Sequence, residues 1–183
     1  MLFVGLGIIV ILILFVIWIV SVYNNFVTLR ERVENGRAQI AAQIESRWDA
    51  ITNLISATKQ YVKHESDVLE NITEKRSNLG RDSSISEIEE NDAELINLVG
   101  RLIAISESYP DLKASEVYQT SMEHVKKYED NVRHSRMIYN EVVTWFNRRL
   151  KQFPTNIIGG MFGFSEEDYF EQSEEKAAMP SWD

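Results

Sequence analysis

Leu2 to Val22 reads LFVGLGIIVILILFVIWIVSV, twenty-one residues whose one polar side chain is Ser21, at the very end. As a helix this run is ~31 Å long, about the thickness of a bilayer's hydrocarbon core. A helix apolar on every side has no place in a soluble bundle of this size. The first Lys, Arg, Asp or Glu is Arg30, and Trp18 and Tyr23 fall near one boundary, where amphipathic rings sit at the lipid–water interface. A cleaved leader would want a basic start, a shorter core and a small-x-small site. This run has no Lys or Arg before it and ends Val20-Ser21-Val22-Tyr23. Residues 1–23 are therefore expected to be an uncleaved transmembrane anchor, with the lipid bilayer as the partner of Leu2 to Val22. Arg30, Arg32 and Arg37 come after the run and no cation precedes it. The positive-inside bias then favours a single-pass protein of the cell membrane, N-terminus outside and the rest cytoplasmic.

Beyond the anchor the chain is helical in period. Ile40, Ile44, Trp48, Ile51, Ile55, Thr58, Val62, Glu65, Leu69, Ile72, Arg76 and Leu79 recur at threes and fours, a coiled-coil-like seam with one slip. This reads as one long helix continuing from the membrane, or two with a soft break near Trp48. Gly80 to Ser84 is a loop, and Ser84 with Glu87 fits a capping box. A second helix is expected to run to about Ser108 on a face of Ile88, Leu95, Leu98, Val99, Leu102, Ile103 and Ile105, ended by Pro110. Asp111 is a candidate cap for the third. That helix carries the cleanest seam, from Tyr118, Met122 and Val125 through Glu129, Val132, Arg136, Tyr139, Val143, Phe146 and Leu150 to Phe153, before Pro154. Short connections between long helices impose antiparallel neighbours. The expected fold is all-α: a transmembrane helix continuing into an antiparallel up-and-down bundle of three long helices, with room for a short fourth. The bundle with its apolar C-terminal segment spans 24–164. Residues 165–183 hold seven acids and one Lys, a composition expected of a flexible tail.

Charge and residue types exclude several activities. The net charge is −9, unlike a protein that neutralises nucleic-acid phosphates, and no nucleic-acid partner is expected. The absence of Cys removes thiolate nucleophiles and Cys-ligated metal. The three His are His64, His124 and His134, and none has Glu three residues before it, as a bundle di-metal site would require. Gly159-Gly160-x-x-Gly163 lacks the lysine of a phosphate loop and reads as a bend with close packing. Asn71-Ile72-Thr73 fits a glycosylation sequon by chance. No catalytic residue, cofactor or metal site is expected, and the chain does not read as an enzyme.

Two features stand out. Glu65, Arg76, Glu129 and Arg136 occupy seam positions. Either their heads snorkel to water or they form a buried polar layer that fixes register; the polar layer is the expectation. Ile157, Ile158, Met161, Phe162 and Phe164 crowd eight glycine-rich positions, an expected interaction segment. Its candidate destinations are the same bundle, another subunit and the lipid interface, preferred in that order, since Glu166-Glu167-Asp168 next to it would be repelled by anionic lipid.

Several ordered motifs are familiar: Tyr23-Asn24 with Val27 and Leu29-Arg30, Lys63-His64-Glu65, Glu107-Ser108-Tyr109-Pro110-Asp111-Leu112-Lys113-Ala114, Arg136 to Asn140, Phe153-Pro154, and Gly160-Met161-Phe162-Gly163-Phe164 with Tyr169-Phe170. Through them the chain resembles the LemA family, bacterial proteins with one N-terminal membrane helix and an antiparallel helical bundle, over roughly Tyr23 to Phe170. It departs from the family at Thr52, where relatives usually carry proline, so no kink is expected in the first helix. The stretch Tyr118 to Asp130 also diverges. The resemblance implies membrane attachment and the bundle, and it brings no activity. The function expected is a non-enzymatic, self-associating membrane scaffold or envelope-associated structural protein, present as a homo-oligomer. The alternative is a ligand-sensing or signalling bundle at the membrane.

Overall fold

The computed structural model describes residues 2–59, 61, 79 and 83–170. Five helices make up the described part: α1 (Leu2–Lys59), α2 (Ile85–Ser108), α3 (Pro110–Ala114), α4 (Glu116–Lys151) and α5 (Thr155–Met161). No strand occurs among the described residues.

α1 is unbroken for 58 residues, a rod of ~87 Å. Nothing in its sequence stops it. No proline occurs before Pro110, and at Thr52 the hydroxyl donates to the Trp48 carbonyl at 2.9 Å while the backbone stays helical. There is thus no break near Trp48. The rod has two halves with different surroundings. Its apolar window is unburied, with Phe3 to Ile17 exposed. From Phe26 onward one stripe turns inward: Phe26, Val33, Ile40, Ile44, Trp48, Ile51, Leu54 and Ile55 are all buried.

α4 runs antiparallel to α1. Gly36 lies against Tyr139, where an added Cβ would stand 3.2 Å from the ring. Gln43 accepts from Asn131 at 3.2 Å, and Arg47 meets Glu129 at 3.5 Å. As numbers rise on α1 they fall on α4. Tyr118, Val125, Val132, Tyr139, Val143 and Phe146 fill the seam, each large side chain contributing about 1.5–3 kcal/mol by leaving water. α2 covers α1 with Ile88, Leu95, Leu98 and Leu102, and the short α3 turns the chain so that α4 is antiparallel to α2 as well.

Local chemistry sets the ends. Ser84 and Glu87 form the reciprocal capping box at the start of α2. The cap of α4 is Ser115, whose hydroxyl accepts from the Tyr118 amide at 3.3 Å, and not Asp111. Proline supports the first turn of a helix, so Pro110 both ends α2 and starts α3, leaving Asp111 in that turn. Two seam residues also differ from expectation. Ile103 is exposed, because Leu102 and Ser106 take the inner face of α2. Phe153 is exposed because α4 stops at Lys151 with Gln152 as its cap.

After α5 the chain reverses. The Phe164 amide donates to the Gly159 carbonyl at 3.0 Å and the Gly163 amide to Gly160 at 3.3 Å, the paired bonds of a Schellman ending. They require the left-handed residue supplied by Gly163 at φ 74°. Residues 165–170 then lie along α4 with Phe170 buried. The acidic segment expected to be a flexible tail from residue 165 therefore begins as a packed strap; 171–183 lie outside the described residues.

Candidate functional site

Arg47 stands three residues after Ile44 and four before Ile51, so α1 delivers it to the interior, 1% exposed. Asp92 comes four residues after Ile88 and three before Leu95, which does the same on α2. The two meet at 2.7 Å. The other oxygen of Asp92 takes Arg136 of α4 at 3.0 Å, and Arg47 reaches Glu129 with its second nitrogen at 3.5 Å. The result is a neutral chain, Glu129–Arg47–Asp92–Arg136, that joins three helices at one level. Beside it the Trp48 indole donates to Asn91 at 3.1 Å, and Arg136 stacks over Phe170 at 5.3 Å. The Nε atoms of Arg37, Arg47 and Arg136 are buried without a hydrogen-bond partner among the described residues.

Of the four residues expected in a polar layer, Glu129 and Arg136 are brought into one network, linked through Arg47 and Asp92. Glu65 and Arg76 lie outside the described residues. Arg47 and Asp92 are the members that the sequence reading misses. Asp92 sits at a seam position by the same spacing test that picks out Glu129. Arg47 is masked by its neighbour Trp48, which absorbs the seam assignment. The arrangement holds charges rather than moves them: each carboxylate faces a guanidinium, which cannot donate its proton at ordinary pH. Among the described residues no three His, Asp or Glu side chains converge as a metal site would need.

The second cluster is at the other end of α4, where α5 crosses α1. Ile158 and Gly159 pack inward, Gly159 so closely that a Cβ would meet Leu150 at 2.7 Å and Phe26 at 3.3 Å. Phe164 stacks on Phe26 at 5.0 Å and lies edge-on to Phe146 at 6.3 Å, while Phe162 leans on Tyr23 at 4.8 Å. The expected interaction segment thus divides. Ile158 is buried and Phe164 half-buried against the same bundle, whereas Ile157, Met161 and Phe162 remain exposed.

The strap beyond Phe164 is tied by ions and amides. Arg37 pairs with Glu167 at 3.0 Å and Lys151 with Glu166 at 2.8 Å; the Glu166 carboxylate lifts the Lys151 ammonium above its ordinary pKa. Tyr139 donates its hydroxyl to the Asp168 carbonyl at 3.0 Å. Burial raises the phenol's pKa, with Arg37 opposing.

The sequence is similar to those of known proteins. The family model described as the LemA family matches residues 36–182. Magnetosome protein MamQ 1 of Paramagnetospirillum magneticum (strain ATCC 700264 / AMB-1) is 23% identical over 176 residues, covering 82% of this chain and 65% of its own length. Protein LemA of Metamycoplasma hominis is 26% identical over 152 residues, covering 82% of this chain and 69% of its own. The chain thus spans about 65% of the length of the first MamQ relatives it matches.

Proposed function

The chain belongs to the LemA family, and on that premise we propose that it is a single-pass, membrane-anchored, non-enzymatic scaffold whose bundle lies on the cytoplasmic side. The observation that carries the reading is the continuity of α1. One helix passes from an apolar run long enough to cross a bilayer into the core stripe beginning at Phe26, without a joint. A bundle so attached is held at a fixed height and angle, which suits a protein that organises others rather than one that turns over substrate. Self-association is part of the proposal. Ile138 and Trp145, seven residues apart on α4, are exposed and supply an apolar seam for a second copy.

A ligand-sensing bundle is the second reading, supported by an open groove between α1 and the start of α4 lined by Ala50, Asn53, Glu116, Thr120 and His124. Two measurements on the full-length protein test the scaffold. The chain has no Cys, so Thr120→Cys gives one label site on the bundle. In intact cells it should react with a membrane-impermeant maleimide only after lysis; labelling without lysis reverses the topology. Light scattering in detergent should give more than one copy per particle. A strict monomer removes the scaffold and leaves the sensor.

A further inference from the structure

The exposed half of the α5 segment has an assignable occupant. We propose that Phe153, Ile157, Met161 and Phe162 form a foot that sits in the headgroup–acyl boundary of the leaflet from which α1 emerges. The inference rests on the membrane-anchor reading and adds a second, separate contact with the same bilayer.

Depth comes first. The apolar run ends at Val22, and each interfacial zone is about 5–8 Å thick, or about four or five helical residues. Tyr23 to Phe26 therefore occupy it. The Phe162 and Phe164 rings pack at a tilt against Tyr23, at 4.8 and 6.0 Å, so α5 is fixed at the depth where α1 leaves the hydrocarbon.

The face presented there is apolar. Thr155, Ile158 and Gly159 turn inward. Ile157 and Met161, one helical turn apart, turn outward at 52% and 73% exposure, flanked by Phe153 at 80% and Phe162 at 50%. Residues 153–165 contain no Lys, Arg, Asp or Glu. Such a surface gains nothing in water and suits the lipid boundary.

Charge is arranged to match. Arg30 and Arg32 on α1, and Arg148 and Arg149 in the last turn of α4, are exposed near this end, at a level where lipid phosphates attract cations. The objection from Glu166-Glu167-Asp168 is met by geometry. Glu166 and Glu167 are paired with Lys151 and Arg37. The strap also runs from Phe164 back along α4 toward Asn140, away from the end that carries the foot.

The test uses the full-length protein in vesicles of phosphatidylcholine and phosphatidylglycerol, with single NBD-labelled cysteines at Met161→Cys, Ile11→Cys and Thr120→Cys and with brominated lipids as quenchers. The proposal requires blue-shifted emission at 161 and severalfold stronger quenching there than at 120, greatest with bromines placed shallow in the chain. Quenching at 11 with a water-like signal at 161 overturns the foot and leaves the anchor intact. Shielding at 161 without bromolipid quenching also overturns it, in favour of a protein neighbour such as a second copy. A water-like signal at 11 removes the anchor, and the foot with it.

Discussion

Asn140 and Asn147 stand two helical turns apart on α4, and each exchanges a pair of hydrogen bonds with the backbone of one strap residue. Asn147 donates to the Glu167 carbonyl at 2.8 Å and accepts from its amide at 2.9 Å. Asn140 does the same with Phe170 at 3.1 and 3.0 Å. The match is metric: seven helical residues rise ~10.5 Å, and three extended residues span about 10 Å. A carboxamide presents one donor and one acceptor side by side, so two of them at this spacing offer an extended segment the pairing that a neighbouring strand would.

Loss of either clamp should release the strap. Two hydrogen bonds at about 0.5–1.5 kcal/mol each put Asn147→Ala or Asn140→Ala at about 1–3 kcal/mol. Hydrogen exchange should locate the effect, with the Glu167 amide losing protection in the first variant and the Phe170 amide in the second. Asp at either position would remove the donor and is expected to release the strap too. If both amides stay protected in Asn147→Ala, the clamp is not what holds the segment.

The buried chain of charges should respond in a definite order. Asp92 serves two guanidiniums, so Asp92→Asn takes its carboxylate from Arg136 and leaves Arg47 only the longer contact with the part-exposed Glu129; it should cost the most, the ~3–5 kcal/mol typical of breaking a buried pair. Arg47→Met leaves Asp92 with Arg136 and should cost less. Glu129 is 36% exposed at its side chain and 3.5 Å from Arg47, so Glu129→Gln should cost about 1 kcal/mol or less. Denaturant melts rank the three. A loss for Asp92→Asn no greater than for Glu129→Gln would mean the pairs are hydrated.

Legibility in the sequence tracks periodicity. The long helix needs only the absence of proline and a seam from Ile40 onward. The upstream stripe of Phe26 and Val33 is harder to read, because Gly36 occupies the next core position and carries no side chain to count; its role is to admit Tyr139. Charges on the seam are visible as candidates, but pairing them requires α2 and Asp92 on it. The strap cannot be found by period at all. Its acids resemble a solvated tail, and the partners that order it are two asparagines that look like ordinary polar positions on a helix.

The capping box of α2 makes a pH prediction. Hydrogen bonding from Ser84 lowers the Glu87 carboxyl below its ordinary value of 4.5. A folded pKa below the unfolded one means stability that is fully present above about 4.5 and is lost as pH falls through the lower, folded value. The group is exposed, so the effect is local. Amide protection at Ile85 to Glu87, taken relative to the intrinsic exchange rate at each pH, should fall below pH 4.5 in the native protein. Glu87→Gln can keep an acceptor for the Ser84 amide, so its fraying should show no such dependence. An identical acid profile in the two proteins would assign the transition to another carboxylate.

Three glycines at the end of the bundle should give three different answers to the same substitution. Gly160 is helical with open space where its Cβ would go, so Gly160→Ala removes backbone freedom from the unfolded chain and should stabilise by about 0.5–1 kcal/mol. Gly163 also has room, but its φ is +74°. Alanine there is strained by about 1–2 kcal/mol, because the Cβ crowds the backbone itself rather than a neighbour. Gly159 is the reverse case, with favourable backbone and a Cβ position 2.7 Å from the Leu150 methyl and 3.3 Å from the Phe26 ring. Leu150 can rotate, but Phe26 is 1% exposed and stacked on Phe164, so Gly159→Ala should destabilise by about 1–3 kcal/mol, as overpacking does. Pairing it with Leu150→Ala should reduce the added penalty, since the closest methyl is then gone. Gly163→Ala should show no such relief, because its strain does not depend on a neighbour. Melting temperatures of the three glycine variants, Leu150→Ala and the two doubles separate these cases, and equal losses at 159, 160 and 163 would mean that α5 is not packed on Phe26 in solution.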